Sequence, residues 1–216
     1  MASIPGQARQ LRGGLILASA SPRRRMLLAS AGLEFEVEPS EVDEGLDPGV
    51  LPEEAAVELA LRKAREVAGR HRGRRGWTIG SDTIVALGTD PDAVLLPKPA
   101  DEREARSMLE RLSGSRHRVL TGVAVIDMAR FGGDDGPGVH SAFERTWVTM
   151  RGIQPVEIER YVASGEWRGK AGGYAIQETA DAFVVGLEEG GFDNVVGLPL
   201  GLTLDLLDKA GAFLAP

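Results

Sequence analysis

The stretch GGLILASASPRRRMLLASAG, Gly13–Gly32, carries a strand, a tight turn and a helix in one short run. LILAS reads as a short buried strand. Ser21 suits a helix cap, Pro22 the first helical position and Gly32 the stop. Three arginines, Arg23 to Arg25, then fall in the first helical turn, where the helix dipole disfavours each cation by about 0.3–1 kcal/mol. They become reasonable if an anion sits there, since free backbone amides, the dipole and forked guanidinium donors converge on phosphate oxygens. The other reading leaves them pointing apart and solvating a surface turn, and this stretch alone does not choose.

Outward from it, strands and helices alternate. FEVEPSEVDEG reads as an alternating strand running into an acidic loop. LPEEAAVELALRKAREVAGRHR is a helix, with Ala56, Leu59, Ala60, Ala64, Val67 and Ala68 at helical spacing. WTIGSDTIVAL is a strand, followed by a turn-rich loop to LLPKPA. DEREARSMLERLSG is a helix with Asp101 and Glu104 at capping-box spacing and Gly114 as its end. HRVLTGVAVIDM and SAFERTWVTM are strands joined by the Gly/Asp-rich Arg130–Ser141 connection. QPVEIERYVASG is a helix, DAFVVGLEEG a strand, and a last helix follows Pro199. The alternation lacks strict βαβ regularity, so the expected class is α/β, a mixed twisted sheet flanked by helices.

Composition narrows the function. Apolar and charged fractions of 43% and 26% are those of an ordinary globular protein. No window offers the ~20 apolar residues of a membrane helix, and MASIPGQARQLRGG lacks a signal-peptide core, so residues 1–13 are expected to be a flexible tail on a cytoplasmic protein. The absence of cysteine excludes disulfides and thiolate chemistry, and three scattered histidines, His71, His117 and His140, support neither a His-rich metal site nor a Ser/His/Asp triad. A net charge of −7 argues against general nucleic-acid binding. An anionic ligand must be held by a local cluster of cations.

Other residues are out of place for a purely structural chain. Asp82 interrupts a strand, on one face with Gly80 and Ile84, where an unpaired buried carboxylate is costly. Such a group can bind a divalent cation or take a proton from water, or it can simply hydrogen-bond a nearby loop. Lys63 lies on the apolar face of its helix, either snorkelling to solvent or reaching into a cleft as a phosphate partner. Lys98 is fixed between prolines. The SEVDE segment (Glu41, Asp43, Glu44) is a solvated loop or a source of oxygen ligands for Mg²⁺.

In their order along the chain, LASASPRRRMLL, SEVDE, LRKA, GSDTIV, PKP, LSGSRHRVLTGVAV, GEWRGKAGGYAIQ and NVVGLPL resemble the Maf family of nucleoside triphosphate pyrophosphatases, from about Leu15 to Leu207. The resemblance implies two lobes around a deep cleft, with residues 14–216 forming a single catalytic domain. It further implies hydrolysis of a nucleoside triphosphate to monophosphate and pyrophosphate, a divalent cation (Mg²⁺ or Mn²⁺) and a cytoplasmic homodimer without membrane or stable nucleic-acid partners. By that resemblance Asp82 is the general base. Arg23, Thr83 and Gln177 govern base selectivity, Ser19, Ser21, Arg24, Lys63 and Lys98 handle phosphates, and Asp82, Glu41 and Glu44 are the metal ligands. Arg, Thr and Gln at the three selectivity positions resemble the dTTP/UTP subgroup, and an amide matches the edge of uracil or thymine. The 7-methyl-GTP subgroup has an aromatic, a glutamine and an acidic residue there. Glu178 directly after Gln177 departs from the family pattern. The rival readings are a 7-methyl-GTP pyrophosphatase, a general nucleotide phosphatase that releases orthophosphate, and a non-catalytic nucleotide-binding regulator of septum formation.

Overall fold

LILAS forms β1 (Gly14–Leu17), and the Ser-Pro turn leads into α1 (Pro22–Ser30), where the Ser21 hydroxyl accepts the Arg24 amide at 3.4 Å. The remaining elements are β2 (Glu36–Val37), α2 (Pro52–Arg70), β3 (Gly76–Leu87), β4 (Val94–Leu96), α3 (Glu102–Leu112), β5 (Arg116–Asp127), β6 (Val139–Met150), α4 (Pro155–Ser164), β7 (Val184–Glu188), α5 (Phe192–Val196) and α6 (Leu200–Lys209). The computed structural model describes residues 10–47, 49–90, 92–132 and 138–214. Residues 1–9 of the expected tail and residues 133–137 of the Arg130–Ser141 connection lie outside them. Leu11, by contrast, forms an antiparallel bridge to Phe213, so the pairing begins before Gly14. Among the described residues no helix is long and apolar enough to cross a membrane.

Among the described residues seven strands form one mixed sheet in the order β2-β1-β3-β5-β6-β7, with β4 on β3. β1 runs parallel to β2 and β3, and every other pairing is antiparallel. Three expectations are corrected. The strand at FEVEPSEVDEG shrinks to two exposed residues. The turn-rich loop contains the three-residue β4, too short to show a period. The reciprocal cap of α3 closes one residue early: Asp101 accepts the Glu104 amide at 2.8 Å, but Glu104 accepts from Ala100 rather than from Asp101.

α2 lies unusually close to the sheet. Its inward face is mostly alanine (Ala56, Ala60, Ala64), and opposite it stand Gly80 on β3 and Gly122 on β5. A β-carbon on Gly80 would fall 2.2 Å from the Ala60 carbonyl oxygen, and one on Gly122 would fall 2.0 Å from that of Ala56. Backbone cannot yield to either, so glycine here sets the helix–sheet distance. Gly122→Ala is therefore expected to destabilise the protein by about 1–3 kcal/mol or more through overpacking. The midpoint of urea unfolding should fall accordingly, and an unchanged midpoint would mean that the helix can shift outward freely.

Apolar packing divides among the faces. Leu15, Leu17, Leu28, Ile79, Leu206 and Leu207 join β1 and β3 to α1 and α6. Val85, Leu109, Val119, Ile158, Tyr161 and Trp167 tie the far half of the sheet to α3 and α4. α5 is pinned by polar bonds instead: Asn194, wholly buried, donates to the Val119 carbonyl at 3.1 Å and to the Thr146 hydroxyl at 2.8 Å.

Candidate active site

β3 is paired along one side by β5 over Trp77–Ala86, but on its other side β1 covers only Gly76–Ile79 and β4 only Val85–Leu87. Between them the edge of β3 is open, and the turn leaving β1 falls there. Arg24 completes the interrupted ladder. Its Nη1 donates to the Ser81 carbonyl at 2.7 Å, its Nε to the Gly197 carbonyl at 2.8 Å and its Nη2 to the Thr83 hydroxyl at 3.1 Å. Burial lowers its pKa, and Asp82 partly offsets this. The three arginines thus have three fates: Arg24 is spent on protein acceptors, Arg25 is exposed, and Arg23 is half-buried with no hydrogen bond from its guanidinium to the described residues. The family resemblance implies a phosphate role for Arg24; in this structure its guanidinium is held by three protein acceptors.

The close approach of α2 brings Lys63 onto the face of β3 that carries Gly80 and Asp82. Lys63 is 7% exposed and Asp82 5%, and the ammonium donates to Asp82 Oδ1. The same Nζ donates to Glu44 at 2.7 Å, and Lys98 donates to the other Glu44 oxygen at 2.6 Å. Partial burial alone would raise the pKa of Glu44, but the two ammonium groups bring it down to about 2. Lys63 therefore reaches inward rather than snorkelling.

These groups line a cavity of about 530 Å³. One wall is the turn Ala18–Arg24, the floor is Asp82, Thr83, Val85 and Val119, and the far wall is the Arg168–Gln177 segment. Among the described residues, Arg23, Arg24, Lys63, Lys98, Arg168 and Lys170 stand against only Asp82 and Glu44, a locally positive chamber in an acidic chain. Arg168, Lys170 and Tyr174 were missed as individuals. The signal was present in WRGKAGGY, where two cations flank a glycine inside a turn-rich run. Ser19, Ser21, Thr83, Lys98 and Gln177 all reach the cavity; the Gln177 side chain is exposed and makes no hydrogen bond to the described residues.

Behind Tyr174 lies His117, wholly buried, with Nε2 2.8 Å from the tyrosine hydroxyl and Nδ1 unpaired. Burial pulls its pKa down to about 4. The unfolded chain then binds a proton first, so this contribution to stability is complete above about pH 6.5 and is lost as pH falls toward 4, amounting to about 3 kcal/mol. Thermal unfolding followed across that window should show His117→Gln losing less stability than the unmodified protein; parallel losses would mean that the histidine titrates normally.

The family described as Maf-like protein matches residues 14–210. This chain belongs to the Maf-like family. It is 44% identical over 213 residues to the dTTP/UTP pyrophosphatase of Syntrophotalea carbinolica, covering 98% of this chain and 92% of that protein. It is 45% identical over 203 residues to the protein of the same name from Geotalea uraniireducens, covering 94% and 98%. Among solved structures a HAM1 protein from Coxiella burnetii is a partial likeness, at 15% identity and a TM-score of 0.38 over 63% of this chain and 72% of that one.

In this Maf-like chain the carboxylates available for a divalent cation are fewer than expected. Glu41 does not line the cavity: it is exposed, and its amide donates to Glu66 at 3.3 Å, on the outer side of α2. Of the two glutamates expected as ligands, only Glu44 lines the cavity. No group of three or more acidic or histidine side chains suited to a metal occurs among the described residues. Asp82 and Glu44, linked through one ammonium, remain. That donor set fits Mg²⁺ or Mn²⁺, which take one or two carboxylates and complete their shell with water and substrate phosphates.

Proposed function

We propose that the cavity hydrolyses dTTP and UTP to the monophosphate and pyrophosphate. The observation that carries this reading is the near-buried Asp82 carboxylate set among six cationic side chains in a chain of net charge −7. The likeness, over nearly the whole length, to proteins named dTTP/UTP pyrophosphatase supports the choice of substrate.

In this reading the triphosphate tail lies against Lys63, Lys98 and the Ser19–Ser21 turn, while Arg23, Thr83 and Gln177 meet the base. Asp82 takes a proton from water as its oxygen attacks the α-phosphorus; the bond from that phosphorus to the α–β bridging oxygen breaks, and pyrophosphate leaves. A divalent cation held by Asp82 and Glu44 would supply charge neutralisation to the phosphates. The two ammonium groups that clasp Glu44 exchange that carboxylate for phosphate oxygens, which places positive charge without reorganising the cavity. The same reading takes residues 14–216 as one catalytic domain of two lobes, and the family resemblance extends it to a cytoplasmic homodimer.

Incubation with dTTP, UTP, CTP, GTP, ATP and 7-methyl-GTP in Mg²⁺ or Mn²⁺ tests this directly. Pyrophosphate should come mainly from dTTP and UTP. Turnover of 7-methyl-GTP instead would reassign Arg23, Thr83 and Gln177, and orthophosphate as the product would indicate a phosphatase.

A further inference from the structure

Lys170 is a buried cation in the cavity wall that neither Asp82 nor Glu44 neutralises. Its Nζ donates to the Glu166 carbonyl and, at 2.5 Å, to the carboxylate of Glu178, the residue directly after Gln177. The Glu166 carboxylate in turn accepts from the Thr179 amide at 3.0 Å and from its hydroxyl at 2.7 Å. The backbone immediately after Gln177 is therefore clamped at two successive residues, while the Gln177 side chain itself is unengaged. Burial lowers the pKa of Arg23, and among the charged groups around it Glu178 opposes this most.

We propose that Glu178 is a positioning residue for base recognition, fixing the orientation of the Gln177 amide through its ion pair with Lys170. The need for such a device is chemical. An amide presents donor or acceptor to the same point after a half-turn about its last bond, so a free glutamine accommodates uracil and cytosine alike. Discrimination requires that one orientation be favoured, and a fixed carboxylate at the next residue attracts the amide NH₂ and leaves the oxygen for the base N3–H. This inference rests on the base-recognition role given above to Gln177, and not on hydrolysis.

The test is calorimetric binding of UMP and CMP to the full chain and to Glu178→Gln and Glu178→Asp, with pyrophosphate release measured in parallel. Loss of one charged hydrogen bond predicts that Glu178→Gln weakens UMP about tenfold and CMP less, so that the UMP preference falls. In turnover, KM should move more than kcat. Glu178→Asp, which keeps the charge, should retain part of the preference, whereas the double variant Lys170→Gln/Glu178→Gln, which has no carboxylate, should lose it as Glu178→Gln does. Equal weakening of UMP and CMP, an unchanged ratio in Glu178→Gln, or no preference in the unmodified protein would overturn the proposal. A ratio that falls in a protein releasing no pyrophosphate would uphold the positioning role and sink the hydrolytic reading instead.

Discussion

Asp82→Asn is expected to lower kcat by about 10²–10⁴-fold, the usual contribution of a positioned general base. The substitution keeps the size of the side chain, and its amide oxygen can still accept from Lys63, so the close seating of α2 on Gly80 and Gly122 is preserved. What it removes is the ability to take the proton of the attacking water and one negative charge beside the phosphates. Nucleotide affinity should therefore hold or tighten while turnover collapses, a split that simple unfolding would not give. Near-normal turnover would assign the base elsewhere.

Arg24→Met should be the most destabilising single change at the cavity. It strips a donor from the Ser81 carbonyl, at the open edge of β3 where no strand among those described can replace it, and one each from the Gly197 carbonyl after α5 and the Thr83 hydroxyl. The Ser81 carbonyl is then left unsatisfied, while the Gly197 carbonyl and the Thr83 hydroxyl keep a second partner, so a loss of about 1–3 kcal/mol is expected. At this chain length that lowers the melting temperature by about 4–8 °C. Arg24→Lys should rescue little, because a point-like ammonium cannot span three acceptors that a planar fork reaches together. A melting temperature within a degree or two of the unmodified protein would show that Ser81 Oγ, which donates to the Gly197 carbonyl at 2.9 Å, and the Thr121 hydroxyl, 3.1 Å from that of Thr83, suffice without it.

The strand–turn–helix at Gly13–Gly32, the long α2 and the β3, β5 and β6 strands were legible because their apolar periods run over many residues. β4 and α5 were not, being three and five residues long and held by tertiary partners rather than by local preference. The cavity was half legible. Asp82 and Lys63 announced themselves as charges on apolar faces, and small residues facing each other across α2 and the sheet bring them together. The phosphate role of Arg24 came from the family resemblance, and the protein acceptors it holds in the gap between β1 and β4 are recorded by no local pattern. Lys98, Arg168 and Lys170 come from loops far apart in the chain, and their convergence depends on how those loops fold back, which no local pattern records.

Hydrolysis of dTTP in ¹⁸O-labelled water, with the products separated and weighed, tests the central claim most directly. Attack at the α-phosphorus with Asp82 as base places the label in the monophosphate and none in the pyrophosphate; label in pyrophosphate, or in released orthophosphate, would contradict it.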